Sequence, residues 1–262
     1  MSEAVAGDRA PFNVWDGVFE SFAAAPAEGP GFDGPQWIER SAAAARDAMS
    51  AQAAGEPLDF SLRQRNAILA PTVAVLLSQR PRLRVLDFGG GPGLGYVALC
   101  AAVADAAARI DYVVVERASI CAAARSLGER RGLAFRPDIP EGDRFDIVHA
   151  ASVMQYIDDW RDTIRRLAAC DPAFLSFADI FAGSFQPYVT LQNYYGSRIR
   201  HWMLNLEAFI ATVSRHGYKL VLRTPCHVRV RGLDGPLPMQ NFPAALRLAH
   251  TQHLLFAREA AP

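Results

Sequence analysis

The residues best suited to chemistry in this chain are concentrated in one stretch, Asp87-Phe88-Gly89-Gly90-Gly91-Pro92-Gly93-Leu94-Gly95. An apolar, partly β-branched run from Leu83 to Phe88 leads in, and a small-residue segment from Gly93 to about Ala106 leads out at helical spacing. The pattern predicts a strand, a tight turn and a helix. Glycines let the backbone take positive φ and approach a ligand closely, and the helix start offers free N–H groups and the positive end of its dipole. Asp87, at the end of the strand, then selects among polar ligands, because its carboxylate would repel a pyrophosphate laid on the turn and attract a cation. A bare strand-to-helix turn would not need five glycines. A dinucleotide reading remains formally open, since Gly93-Leu94-Gly95-Tyr96-Val97-Ala98 satisfies G-x-G-x-x-A and Glu116 falls near the spacing of a ribose-binding acid. It starts too far past the strand and leaves Gly89 to Pro92 unused.

The elements that position these residues follow from periodicity. Pro35 to about Ala51 reads as a helix, and a second runs from Ser61 toward Gln79 with a bend or break at Pro71. After the glycine turn, Ile110–Val115 forms a second strand that ends at Glu116, and residues 118 to 131 read as a helix. Leu133–Phe135, Phe145–Ala150, Ala173–Phe181, Tyr218–Arg223 and His253–Arg258 are further strands, with helices at Trp160–Ala169 and Leu204–His216. Phe12, Trp15, Phe19 and Phe22 recur at helical spacing, weakened by Gly17, and predict an aromatic amino-terminal clamp or lid. Phe185 to Gly196 is read as an irregular pocket wall rich in amide, hydroxyl and aromatic groups, extended by Arg198, Arg200, His201 and Trp202. His149, inside its strand, reads as a hydrogen-bonded core histidine. Pro225 to Pro243 is a long connection bordering the site.

Composition narrows the function classes. The 262 residues carry 27 basic and 27 acidic side chains, which gives no electrostatic reason to expect nucleic acid. Cys100, Cys121, Cys170 and Cys226 lack C-x-x-C spacing, so they read as free thiols in a reducing compartment and give no metal site. The chain shows no charged-then-apolar leader and no apolar run of membrane-spanning length, so a cytoplasmic location without membrane insertion is expected.

Asp87-x-Gly89-x-Gly91-x-Gly93 resembles the first motif of the class I S-adenosylmethionine-dependent methyltransferases. The whole chain is further similar to a methyltransferase family associated with bacterial cell-surface polysaccharide gene clusters. That similarity rests on Trp15-x-Gly17-x-Phe19-x-Ser21-Phe22, Gly31-Phe32-Asp33, Leu86 to Gly91, Val115-Glu116, Ala151 to Tyr156, Thr190 to Tyr195 and Asn241-Phe242-Pro243. The resemblance implies an α/β fold with a seven-stranded, mostly parallel, Rossmann-like sheet. An amino-terminal helical and aromatic cap over residues 1–60 would precede a cofactor-binding catalytic domain over residues 61–262. It implies S-adenosylmethionine as cofactor, held by Asp87, Gly89, Gly90, Gly91, Gly93, Glu116, Asp138 and Ser152, with Glu116 on the ribose and Asp138 near the adenine amino group. Gln155, Asn193, Tyr194 and Tyr195 are expected to orient a small-molecule or saccharide acceptor. His201, Asp179, Tyr194 and Tyr195 are the candidates for a base should an alcohol be methylated. A homodimer is compatible with this reading. Two other readings keep the cofactor: intramolecular cyclisation to methylthioadenosine inside an aromatic enclosure, or a protein that binds it without turnover.

Overall fold

Val85 and Leu86 are adjacent in sequence and fully buried on opposite faces of the same strand, which places that strand in the middle of a sheet covered on both sides. The computed structural model describes residues 12–259. In chain order its elements are β1 (Trp15–Phe19), α1 (Pro35–Ala54), α2 (Phe60–Arg65), α3 (Leu69–Leu77), β2 (Leu83–Phe88), α4 (Leu94–Ala102), α5 (Ala106–Arg109) and β3 (Ile110–Val115). Next come α6 (Ala118–Arg125), β4 (Leu133–Arg136), β5 (Ile147–Ala151), α7 (Trp160–Ala169), β6 (Phe174–Ile180) and β7 (Ala182–Gly183). The chain closes with β8 (Tyr188–Tyr194), β9 (Ser197–Asn205), α8 (Leu206–Ser214), β10 (Tyr218–Cys226) and β11 (Thr251–Arg258).

The main sheet has seven strands in the order β10-β11-β6-β5-β2-β3-β4. Strands β6, β5, β2, β3 and β4 pair in parallel, and β11 runs antiparallel between β10 and β6. This is the Rossmann-like sheet expected from the sequence, closed by a strand pair without a crossover helix. Val85 packs with Leu69, Val73, Tyr96 and Leu99 on the side of α3 and α4, and Leu86 with Ile164, Leu167, Phe177 and Phe209 on the side of α7 and α8. Helix starts carry their own signals: the side chains of Asp59, Asp159 and Asn205 accept from the backbone N–H groups of Leu62, Asp162 and Ala208, each worth about 1 kcal/mol. The expected Ser61–Gln79 helix divides before Pro71, at Asn66–Ile68. Pro71 lies in the first turn of α3, where its missing N–H costs nothing. Helix α6 ends at Arg125, short of the expected residue 131, and Gly128 beyond it has φ +99°.

Two expectations are corrected. The aromatic segment from Phe12 to Phe22 contains a strand, β1, where helical spacing pointed to a helix. β1 pairs antiparallel with β8, and its register shifts between Asp16 and Phe19 where Gly17 takes φ +77°. The bulge sends Trp15 and Phe19 into different apolar clusters, so a four-residue spacing that mimics one helix face serves two faces of a strand. The stretch from Phe185 onward is not irregular: β8 and β9 form a hairpin closed by Tyr195 and Gly196, both at positive φ (+47° and +72°) as primed hairpin turns require. Strands β1, β8, β9 and β7 make a second, four-stranded sheet. Alternation in β8 was hidden because Thr190 and Gln192, polar residues, are buried along with Val189 and Leu191.

Candidate functional site

Asp87 is the last residue but one of β2 and lies under the glycine turn. A Cβ on Gly90 would overlap its Oδ2, and a Cβ on Gly95 would overlap the Tyr112 hydroxyl that donates to the same oxygen at 2.7 Å. Gly89, Gly91 and Gly93 take φ +72°, +56° and +87°. A Cβ on Gly89 would strike Val153, whereas one on Gly91 would meet nothing within 4 Å, so the turn is packed from below and open above. Asp87 is 2% exposed and its Oδ1 has no partner among the described residues. Burial raises its pKa to about 7, with the Tyr112 hydrogen bond opposing and Glu116 adding to the rise. An unpartnered buried acceptor beneath an open glycine turn suits a ligand that brings a cation or a strong donor.

Glu116 leaves the end of β3, where its N–H donates to the Arg136 carbonyl at 3.0 Å. Its carboxylate accepts from the backbone N–H of Gly91 (3.3 Å) and of Arg117 (2.8 Å), tying it to the glycine turn with lone pairs to spare for hydroxyl donors. Burial raises its pKa and these two N–H donors oppose the rise. Asp138 stands exposed beyond β4. Ser152 follows β5 at φ +56°, donates its N–H to the Ala178 carbonyl at 2.9 Å, and accepts a long hydrogen bond from Gln155 Nε2 (3.4 Å). The structure thus brings Asp87, the glycines and Glu116 into one turn, with Ser152 one strand over.

A second group lies at the end of β6. Asp179, 1% exposed and at φ +54°, accepts from Arg65 Nε at 3.0 Å and from Thr251 Oγ1 at 2.6 Å. Burial by itself would raise its pKa, but Arg65 and the hydrogen bonds from Thr251 and Ser152 outweigh that and hold the carboxyl below its ordinary value. Asp179 is therefore a charged anchor with its oxygens engaged, a poor candidate for a base. His201, on β9, is fully buried with both ring nitrogens unpartnered among the described residues, edge-on to Phe181 (4.5 Å) and Tyr156 (5.2 Å). Burial lowers its pKa to about 3, so it is neutral at physiological pH. Tyr156 donates to Gln192 Oε1 at 2.7 Å, and burial pushes its pKa up. Gln155 is fully buried, with Oε1 unpartnered. Tyr194 and Tyr195 pack 4.1 Å apart at the hairpin tip, against Trp37 of α1. Asn193 donates to the Asn13 carbonyl at 2.8 Å and lines, with Tyr194 and Tyr195, an open groove of about 560 Å³ that runs past Phe12 and Arg198.

The segment before β2 joins the two groups. Asp33 accepts from Arg117 and from Ser119 Oγ at the start of α6, and Phe32 stacks edge-on to Tyr156 at 4.8 Å. Arg65, Asn66, Tyr112 and Thr251 were not singled out in the sequence. Arg65 is one of two arginines on a short helix and Tyr112 sits in an apolar strand, so neither carries a local signal. His149 keeps the structural role read for it: its Nδ1 lies 3.0 Å from Ser176 Oγ, and burial lowers its pKa to about 3. Among the described residues no group of His, Cys, Asp and Glu could hold a metal ion, no helix is long and apolar enough to cross a membrane, and the four cysteines are free thiols.

Residues 61–228 match the model of a methyltransferase domain family. No curated protein is significantly similar in sequence. Among solved structures, the chain is similar to the 1,6-didemethyltoxoflavin-N1-methyltransferase of Burkholderia thailandensis, crystallised with 1,6-didemethyltoxoflavin and S-adenosylhomocysteine. Identity is 15%, coverage 90% of this chain and 93% of that one, and the TM-score 0.53. It is also similar to a chain of the complex between the Haloferax volcanii Trm112 methyltransferase activator and a methyltransferase (13% identity, 88% and 97% coverage, TM-score 0.55). A third likeness is to an S-adenosylmethionine-dependent methyltransferase of Clostridium acetobutylicum (11% identity, 77% and 94% coverage, TM-score 0.50). At these identities the likeness is one of fold.

Proposed function

The chain belongs to the methyltransferase domain family, and on that premise we propose that it transfers the sulfonium methyl of S-adenosylmethionine to a small-molecule or saccharide acceptor by in-line displacement. The observation that carries the reading is Asp87, a buried carboxylate with one oxygen unpartnered, set under a glycine turn that is open above and tied to Glu116. Bound S-adenosylmethionine supplies an electrophilic methyl group. Asp87 holds the amino cation, Glu116 accepts from the ribose hydroxyls, and the backbone at Gly89, Gly90, Gly91 and Gly93 allows close approach. Asp138 takes the adenine amino group, and Ser152 borders the tail of the cofactor.

Gln155, Tyr194, Tyr195 and Asn193 orient the acceptor. Holding a nucleophile in line contributes several kcal/mol, roughly what bimolecular encounter would otherwise lose. His201 is fully buried with its pKa lowered to about 3, which makes it a weak base, so the reading favours an acceptor that is already nucleophilic. On this reading the described part of the amino-terminal cap, residues 12–60, roofs the site and the described part of the catalytic domain, residues 61–259, is its floor. Four free thiols favour work in the cytoplasm.

The test is the product formed from S-adenosylmethionine by the purified protein with sugars, amino acids and small phenols, followed by mass spectrometry. S-adenosylhomocysteine together with a methylated acceptor supports transfer. Methylthioadenosine would establish cyclisation instead, and tight binding of NAD with none of S-adenosylhomocysteine would overturn the cofactor.

A further inference from the structure

Arg65 is placed oddly for a residue whose only task is to neutralise Asp179. Its Nε donates to Asp179 Oδ2 at 3.0 Å, and this is its sole hydrogen bond among the described residues, so the Nη1–Nη2 edge of the guanidinium is unused. The two partners differ sharply in exposure: the Asp179 side chain is 1% exposed and that of Arg65 38%. The carboxylate is closed off, its second oxygen taken by Thr251, while part of the Arg65 side chain is open at the carboxyl end of the sheet. Tyr156 and Tyr194 both lie within electrostatic reach of it. Strand order puts this edge two strands from the glycine turn, on the side away from Glu116.

A buried carboxylate that fixes one edge of an arginine leaves two parallel N–H donors at a defined angle, the geometry that recognises a planar carboxylate bidentately. The Arg65–Asp179 pair is neutral as a unit, which suits a single negative charge better than a phosphate dianion. We propose that Arg65 is the carboxylate seat of this cleft, held in aim by Asp179, and that its ligand is the carboxylate either of the aminoacyl tail of the cofactor or of an acidic acceptor. The inference rests on the methyltransferase reading above.

Arg65→Lys tests it, because the lysine keeps a cation for Asp179 and loses the planar fork. Calorimetry on wild type and variant would compare S-adenosylhomocysteine with methylthioadenosine, which shares the adenosine and thioether and lacks the aminoacyl tail. Ligand-observed NMR on protein saturated with S-adenosylhomocysteine would then compare benzoate and 4-hydroxybenzoate with their amides. A loss of tenfold or more for S-adenosylhomocysteine, with methylthioadenosine unchanged, supports the seat and assigns it to the cofactor tail. Unchanged S-adenosylhomocysteine affinity, with carboxylate binding seen in wild type and lost in the variant, supports it and assigns the acceptor. Equal behaviour of wild type and variant toward every probe overturns the proposal alone, whereas a wild type that binds neither nucleoside overturns the methyltransferase reading and this inference with it. Matching thermal melts of the two proteins exclude a folding defect, and should Arg65→Lys melt lower, Arg65→Gln combined with Asp179→Asn gives the same comparison without a stranded charge.

Discussion

At the residue scale the decisive group is Asp87, whose pKa is pushed up by burial to about 7, far above the ordinary carboxyl value of 3.8. The folded protein therefore holds the Asp87 proton more tightly than the unfolded chain does. The contribution to stability is fully present below about pH 4 and is lost as pH rises through about 7, a difference on the order of a few kcal/mol. Asp87→Asn should raise the melting temperature of the ligand-free protein at pH 8 and leave it unchanged at pH 4, as thermal melts at the two values would check. Binding runs the other way, because a cationic amino group favours the carboxylate. S-adenosylhomocysteine affinity should strengthen as pH rises from 6 to 8 and level off above, and in Asp87→Asn it should be weak and flat with pH by calorimetry. Gly95→Ala should reproduce that loss with the acid still in the chain, since the new methyl would overlap the Tyr112 hydroxyl and lie 2.8 Å from Asp87 Oδ2, and forces both to move. The glycines and the acid were legible because their chemistry is local to nine consecutive residues. Tyr112 and Arg65 were not, because each reaches its partner only through the sheet, 25 and 114 positions away in sequence.

At the scale of elements, the order of strands was legible and the second sheet was not. Buried parallel strands such as Ile110–Val115 announce themselves as continuous apolar runs. In β8 the buried residues Thr190 and Gln192 interrupt that pattern, because each has a polar partner: Gln192 accepts from Tyr156, and Thr190 donates to the Asp16 carbonyl of β1 at 3.0 Å. In β1 the bulge at Gly17 breaks the two-residue period that would have marked a strand. Gly17→Ala should therefore be costly, since it places an L side chain at φ +77° with its Cβ 2.6 Å from the Phe19 ring. A loss of about 1–3 kcal/mol is expected, read as a lower denaturant midpoint with an unchanged slope. A mere linker at residues 15–19 would leave the midpoint where it was.

At the scale of the whole molecule, the amino-terminal segment and the catalytic sheet share the same walls, which bears on whether residues 1–60 are a separable cap. Trp15 is 1% exposed, packed on Phe181 at 5.4 Å and on His201 at 5.9 Å, and its carbonyl accepts from Asn241 Nδ2 at 2.8 Å. β1 supplies the outer neighbour of β8, and Phe32 and Trp37 cover Tyr156 and the Tyr194–Tyr195 pair. Removing residues 1–60 would uncover β8 along its length and expose His201, whose neutrality depends on burial. Burying a side chain the size of Trp15 is worth roughly 3 kcal/mol or more, a large part of the 5–15 kcal/mol that holds a typical domain together. A chain of residues 61–262 should consequently melt well below the full chain or fail to melt cooperatively, and the intact protein should show one transition by circular dichroism and by tryptophan fluorescence. Two resolved transitions, or a truncated chain as stable as the whole, would mean that the roof is an appendage laid on a finished fold, and the acceptor would then have to be held by the hairpin alone.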